Sequence, residues 1–536
     1  MISRHRTRLI TDANRKWWTL GAMCFALFMI MLDNTVVNVA LPSIQRDLGA
    51  SISGLEWTIN GYTLSFAVLL ATGGRLGDIF GRRRMFIAGV VIFTLSSATA
   101  GFAPDTLSLV VSRVAQGVGG ALMMPGTLSI ITDAFPAEER GKAIGTWAGV
   151  SALALAIGPV LGGFLTEHVS WRAIFFINLP VGIGTVLAAL FAVRESRDET
   201  VGREVDYLGV AVLTAGLTAL VLALVEGNSW GWGSATIVSL IAGSVVLLIA
   251  FVAVELRVRA PMVEFSLFAN RNFIGAVTVA FIVTFAMLGM FFFLAMYMQN
   301  ILGYSPLEAG VRFLPTTLVI MAVAPISGRL SDRIGPRWPI TVGLSLTAVS
   351  LYMFTQITAG TTYTDLLPAF MLMGTGVALT MSPMSTAAMN AVPVAKAGIA
   401  SGVLSMFRML GGSFGVAAIG ALFQAGARSR ADDLLSSSSF SAAQRSDIAH
   451  GIVSGQPSGA QHLSKAQATQ LTDATHDVFI YALSHAMRLS TAVAALGVII
   501  GFTLIRSRKA DPAPQAGPAT AAGTATAGVA AVQADG

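Results

Sequence analysis

The chain has one cysteine in 536 residues, Cys24, and it lies inside an apolar run. That excludes a disulfide framework and a cysteine-based metal site. The six histidines, His5, His168, His450, His462, His476 and His485, fall in tails, in loops or near a helix end, so no buried histidine relay is expected. No G-x-x-x-x-G-K-[ST] segment occurs, which excludes ATP hydrolysis by a phosphate loop of this chain. The apolar runs hold no constellation of His, Cys and carboxylates, so an enzyme is not expected, nor any metal or cofactor. Charge is scarce as well: 12% of residues are charged against 54% hydrophobic, and the mean hydropathy is +0.71. No soluble domain of this length needs so much apolar surface, because a core stops growing well before that.

What the chain has in abundance is apolar sequence in pieces of about 20 residues, each able to cross a ~30 Å hydrocarbon layer. We count fourteen: 17–41, 55–74, 85–103, 107–131, 142–165, 172–193, 207–226, 235–254, 273–298, 309–330, 339–358, 366–389, 399–425 and 486–506. The first has no small-residue cleavage site and reads as a retained helix, not a signal peptide. The expectation is an all-α polytopic membrane protein.

The runs are also duplicated. GRLGDIFGRRR at 74–84 and GRLSDRIGPRW at 328–338 both read G-R-L-x-D-x-x-G-x-R, 254 residues apart. GVGGAL at 117–122 echoes GTGVAL at 374–379 at an offset of 257. Internal repeats of a membrane unit are how secondary transporters are built. Six spans precede residue 195, six follow residue 270, and the two between have no counterpart. The expected order is therefore 6+2+6, with two pseudo-symmetric bundles at 17–193 and 272–506 and a two-span insert within 194–271.

The net charge of +6 and pI of 9.7 do not mark a nucleic-acid binder, because the basic residues sit in short loops between apolar runs. Arg4, Arg6, Arg8, Arg15 and Lys16 lie in the tail 1–16. Arg82, Arg83, Arg84, Arg140, Lys142, Arg194, Arg197, Arg257, Arg333, Arg337, Lys396 and Arg506 fall on the same side. The opposite short loops hold little beyond Arg46, Arg172 and Arg312. Both termini are thus expected in the cytoplasm of a cell-membrane protein; a monomer is expected to be the working unit. The segment 426–485 is expected as one long external loop with room for short amphipathic helices, and 507–536 as a disordered tail.

Few residues inside the runs carry chemistry. Asp33 lies deep in the first, where a carboxylate costs roughly 2.5–3.5 kcal/mol and is rarely kept without a task. In a dry site it can take a proton from one side and lose it to the other. Arg113 in the fourth run heads a face with Gln116 and Met124. At 1.5 Å per residue Arg113 lies about 10 Å, and Asp33 about 13 Å, from the same surface, so the two can meet. The repeat equivalent of Arg113, Phe370, is uncharged, and the ninth run carries no acid. A proton-coupling pair and a static stabilising pair both fit. The fifth run carries Gly158, Pro159, Gly162 and Gly163, a close-packing face with a kink, or ordinary tight packing. In the two duplicated loops Gly74, Asp78, Gly81, Arg82, Arg83, Asp332 and Arg333 are candidates for breakable contacts that latch one conformation, the alternative being a solvated turn. Asn34, Asn38, Trp57, Tyr62, Gln116, Met124, Trp147 and Arg408 are candidates to line a substrate cavity.

Taken together these segments resemble the major facilitator superfamily, in particular its fourteen-span drug:proton antiporter branch, the QacA-like and EmrB-like transporters. LDNTVVNVALP resembles the branch's first-helix signature, with Asp33 as its acid. GRLGDIFGRRR matches the superfamily loop motif, and RVAQGVGGA matches a fourth-helix motif whose arginine, here Arg113, is associated with proton transfer. AIGPVLGG matches the antiporter motif except that Ala154 replaces its first glycine, and WRAIFFINLPVG also follows the branch pattern. The resemblance implies a proton-driven exporter of amphipathic compounds with no cofactor beyond the proton gradient, its partners being lipid, protons and substrate. Branch members that favour dications can carry further acids in the second half. Here the spans of that half, the ninth to the fourteenth, show only Glu308 and Asp365, both near external ends, with Arg408 inside the thirteenth. A dedicated exporter of one self-made antibiotic or metabolite shares these features. A membrane receptor or enzyme without transport is the rival of another class.

Overall fold

The computed structural model describes residues 11, 14–197, 206–258, 261, 263–392, 397–436 and 465–506. Within them the chain is helical and without strands: α1 (Arg15–Leu48), α2 (Ile52–Phe80), α3 (Arg82–Gly101), α4 (Thr106–Ala134), α5 (Ala137–His168), α6 (Ala173–Phe176), α7 (Asn178–Ala192), α8 (Tyr207–Trp230), α9 (Ala235–Glu255), α10 (Arg271–Met296), α11 (Pro306–Arg312), α12 (Leu314–Ile334), α13 (Arg337–Phe354), α14 (Tyr363–Asn390), α15 (Ala397–Ser436) and α16 (Lys465–Leu504). Most of the tail 1–16, the stretch 437–464, the tail 507–536 and the side chain of Asp332 lie outside the described residues.

Among the described residues, 11 helices are long and apolar enough to cross a membrane. The number is up to 12 if α2, bent by 51° between Leu70 and Thr72, is one span. That is fewer than the fourteen expected. α13 has only 18 residues and opens on an arginine, and α5 opens on Glu138, Glu139, Arg140 and Lys142. Within the expected external segment 426–485, the described residues are helical. α15 runs on to Ser436 and α16 starts at Lys465, because 427–436 and 465–485 hold helix formers and no proline. Arg430 of α15 joins the two extensions through Asp477, 2.7 Å away.

Helix starts follow their local chemistry. The Ser51 hydroxyl accepts the Gly54 N–H at 3.1 Å and Asp105 accepts that of Ser108 at 2.8 Å. Ser305 and Glu308 form a reciprocal capping box. Pro180 lacks an N–H, and the sixth run accordingly breaks into α6 and α7 at Ile177. Trp171 and Arg172, just before the break, both donate to Asp47 at the end of α1.

The duplication recurs in the packing. α3 and α4 approach so closely that a Cβ on Gly89 would lie 2.7 Å from the Gly119 carbonyl oxygen. α13 and α14 do the same, a Cβ on Gly343 lying 2.7 Å from that of Gly376. The two loop glycines match as well: Gly81 has φ +108° and Gly335 φ +83°, a region open to glycine. α1–α7 and α10–α16 form two helical halves, and α8 leans on α2 of one and α15 of the other.

The hydrogen bonds that join the halves gather toward the end that carries the Gly49 turn. Asn60 accepts from the Ser413 hydroxyl at 2.9 Å, and Glu167 accepts the Leu307 N–H at 3.0 Å. Gln299 donates to the Val39 carbonyl at 2.7 Å. Gln299 is aimed there by a π-helical turn, Tyr297–Ile301, the kind of local widening that often marks a working site.

Candidate functional site

α1 and α4 bring their two charged residues together. Arg113 Nη1 lies 2.5 Å from Asp33 Oδ2, with both side chains at most 2% exposed. Gln116, one turn further along α4, accepts from Arg113 Nη1 at 2.8 Å and donates to Asp33 Oδ1 at 3.3 Å. Arg113 Nε donates to the Thr58 carbonyl of α2 at 3.0 Å, and the guanidinium lies over the Tyr62 ring at 4.3 Å. The arginine is therefore held by α2 and α4 independently of the carboxylate it pairs with. A buried pair of this kind is a costly device, since desolvating two charges offsets much of their attraction.

Next to the pair a cavity opens between the halves. α1 lines it with Met31, Asn34, Thr35, Asn38 and Val39, α2 with Thr63 and α5 with Pro159. Thr284, Met287, Leu288 and Phe291 of α10, Thr317 and Ile320 of α12, with Phe313 just before it, and Arg408 and Met409 of α15 close the other side. Its volume is about 80 Å³, far below the ~300–1,000 Å³ of drug-sized pockets. A drug-sized occupant therefore requires the lining to part. Arg408 Nε and Asn38 Oδ1 are buried without partners among the described residues. A larger open cleft of about 510 Å³ lies between α16 and Ile357–Ala359, away from the pair.

Of the eight expected cavity residues, Asn34, Asn38 and Arg408 line it. Gln116 and Tyr62 belong to the network around Asp33. Trp57, Met124 and Trp147 do not reach it. Trp57 packs with the larger apolar core, while Met124 and Trp147 pack in the core of the first half. Trp57 and Trp147 lie on α2 and α5, which line the cavity through Thr63 and Pro159, but the sequence does not fix the rotation of those helices; Met124 lies on α4, which contributes no lining residue.

The fifth-run motif has two working faces. A Cβ on Gly158 would lie 1.8 Å from Thr35 Oγ1, and one on Gly162 2.6 Å from Val36 Cγ2, so this face seats α1. A Cβ on Gly163 would lie 2.5 Å from the Pro306 carbonyl oxygen. Gly310 of α11 rides equally close on Pro159, at 2.1 Å from its oxygen. The second face therefore seats the opposite half.

At the other end Asp78 pairs with Arg82 at 2.9 Å, and Gly74 packs on Pro125. Glu195, in the segment after α7, accepts the Arg83 backbone N–H at 3.0 Å and lies 3.6 Å from Arg84 Nε. Arg83 Nη2 donates to the Leu190 carbonyl at 2.6 Å. These contacts tie the turn to its own half, not to the opposite one, and Arg333 is exposed. Glu195→Gln should lower thermal stability by about 1 kcal/mol through loss of a charge-assisted bond to the start of α3. An unchanged melting temperature would show that the contact is idle. Glu195, Thr58 and Gln299 escape sequence reading, because a solvated-looking linker acid, a backbone carbonyl and a lone glutamine carry no signal until the helices are packed.

Comparison with known proteins agrees with this architecture. Residues 23–416 match the Major Facilitator Superfamily. The chain is 34% identical over 511 residues to the tetracenomycin C resistance and export protein of Streptomyces glaucescens, covering 94% of this chain and 93% of that protein. It is 39% identical over 410 residues to the puromycin resistance protein pur8 of Streptomyces alboniger, covering 75% and 81%. A similar solved structure is a bacterial homologue of the human lysosomal transporter Spinster, inward-facing and occupied. It has a TM-score of 0.64 over 92% of this chain and 98% of that one. At 17% identity that likeness concerns the fold. This chain, which carries a buried ion pair beside a cavity between two duplicated helical halves, belongs to the major facilitator superfamily and is a membrane transporter, not an enzyme.

Proposed function

We propose that the transporter is a proton-coupled antiporter that exports amphipathic drugs or antibiotics from the cytoplasm by alternating access. In this reading α5 and α13 also cross the membrane, giving fourteen spans in 6+2+6 order. The Lys and Arg distribution supports both termini in the cytoplasm, with the Gly49 end, where the halves are joined, facing out. The observation that carries the reading is the Asp33–Arg113 pair, sealed at 2.5 Å beside a cavity lined from both halves.

The proposed step is local. A proton arriving on Asp33 Oδ2 cancels the charge that Arg113 answers, and Arg113 relaxes onto Thr58, Gln116 and Tyr62. α1 and α4 are then free to shift. Loss of the proton restores the pair. Driving each elementary charge across the membrane adds ~2.3 kcal/mol per 100 mV. Cavity residues from both halves change their separation as the halves rock, which is what moves the cargo from one side to the other.

The test uses everted vesicles with a respiration-driven proton gradient, challenged with dyes, biocides and antibiotics. Some compounds are expected to dissipate the gradient through this protein. If none does with folded, inserted protein, drug antiport of that breadth is wrong. The second reading, export of one compound, is favoured by relatives named for single products, such as a probable actinorhodin transporter of Streptomyces coelicolor and the cephamycin export protein CmcT of Amycolatopsis lactamdurans. A panel in which one chemical class alone responds would favour it. Arg408→Gln should change which compounds respond, by about tenfold for those with an acidic or acceptor group, the scale of one charge-assisted hydrogen bond. A uniform change across the panel would take Arg408 out of the recognition site.

A further inference from the structure

The seam between the halves holds a second carboxyl that the Asp33–Arg113 chemistry does not use. Glu56, one turn into α2, is completely buried at 0% exposure. Its Oε1 accepts from Gln424 Nε2 of α15 at 3.3 Å, and its Oε2 has no partner among the described residues. The carboxyl lies against α15 where that helix has no side chain: a Cβ on Gly420 would sit 2.0 Å from Oε1. The third wall is α8, which packs on both α2 and α15.

The charges facing Glu56 from these three elements do not answer it. α8 presents Glu226, a half-buried carboxylate beside Trp57. α15 presents the amide of Gln424, which also lies 3.4 Å from Ser53 Oγ of α2. The next cation along α15, Arg428, is one turn beyond Gln424 and donates to the Asn228 carbonyl at 3.2 Å. An ionised carboxylate shut in a dry seam with one long amide contact and a like charge nearby is strongly disfavoured. The neutral acid suits the site, and it can form or vanish only when the halves part and water reaches it.

We propose that Glu56 is a second proton-binding site, filled as the halves close at this end and emptied to the same side as they part, so that external acidity favours the outward-closed form. The assignment of this end as external rests on the function proposed above. The proton on Glu56 is then not cargo, since it enters and leaves by one side. It acts as a latch that reads the outside, while Asp33 handles the transported proton. The sign follows from linkage. The closed form binds this proton more strongly, so closure is favoured at low pH and lost as pH rises.

The test uses the full-length protein in nanodiscs with Cys24→Ser, and spin labels on Leu107→Cys and Asp432→Cys, two exposed residues on the two halves at this end. On raising the pH from about 5.5 to about 8.5, the long-distance, open population is expected to rise roughly tenfold, the effect of one unit of differential proton affinity. Glu56→Gln is expected to stay closed throughout. Glu56→Asp keeps the acid but draws it off Gly420, and should open at lower pH. A parent without pH response, or a Glu56→Gln protein that opens like the parent, overturns the proposal. Asp33→Asn measured alongside separates the two sites. If it loses the pH response and Glu56→Gln keeps it, the latch proton belongs to Asp33. The vesicle test of export is independent of either result.

Discussion

Asp33→Asn is expected to abolish uphill export and to destabilise the protein, whereas Arg113→Gln abolishes coupling at a much smaller cost in stability. The asymmetry comes from what each survivor can do. Arg113 cannot shed its proton, so without Asp33 a full positive charge stays buried at 2% exposure. Breaking a buried pair in this way costs about 3–5 kcal/mol. The Thr58 carbonyl, the Gln116 oxygen and the Tyr62 face offset part of that, which places the expected loss nearer 3. Asp33 left alone has an escape that arginine lacks, because a carboxylate can take up a proton and become neutral. The double variant Asp33→Asn with Arg113→Gln should therefore recover most of the stability and none of the transport. Thermal unfolding in detergent and gradient dissipation in everted vesicles read the two quantities separately. If Asp33→Asn still drives export against a gradient, proton coupling through this residue is wrong. If the two single variants are equally destabilised, the pair is a static brace, as its sequence position alone also permits.

That pair was the most legible part of the molecule, for a physical reason. A charge in an apolar run stands out, and helical rise converts sequence position into depth. About 10 and 13 Å from one surface were close enough to suggest a meeting. The duplicated loops were legible because a turn with positive φ favours glycine, as Gly81 and Gly335 both have. What stayed hidden depended on rotation about helix axes or on distant partners. Trp57 and Trp147 sit on helices that border the cavity but face other neighbours, and Met124 sits on α4, which does not line it. Glu195 reads as a solvated linker acid until the α2–α3 turn is folded against it. Glu56 lies so near the edge of its apolar run that it passes for an interfacial charge. α8 and α15 seal it. The extent of the helices past residue 425 is not legible, because hydropathy reports where the membrane ends, not where hydrogen bonding along the helix ends.

Gly310→Ala is expected to open the joined end of the transporter while leaving both halves folded. The added methyl would sit 2.1 Å from the Pro159 carbonyl oxygen, and the opposing atom is backbone, with no rotamer to move aside. Gly163→Ala meets the same surface from the other side, 2.5 Å from the Pro306 oxygen. Relieving either clash means separating α5 from α11, and overpacking of this kind costs ~1–3 kcal/mol. In a two-state equilibrium that shifts the open-to-closed ratio by roughly 5- to 150-fold. The control is on the other packing face of α5, which seats α1. Gly162→Ala meets Val36 of α1, with its backbone oxygen 2.8 Å away, and strains packing inside one half. It should lower the melting temperature without changing the distance between halves. Distances between labels on the ends of α5 and α11 where the halves are joined, taken with vesicle transport, distinguish the two faces. Gly310→Ala should give the long distance and lose export, because a transporter that cannot close one gate cannot alternate. If Gly310→Ala keeps the closed distance and exports normally, α5 and α11 do not form the gate, and closure at this end rests on the α2–α15 seam around Glu56 and the Gln299–Val39 contact.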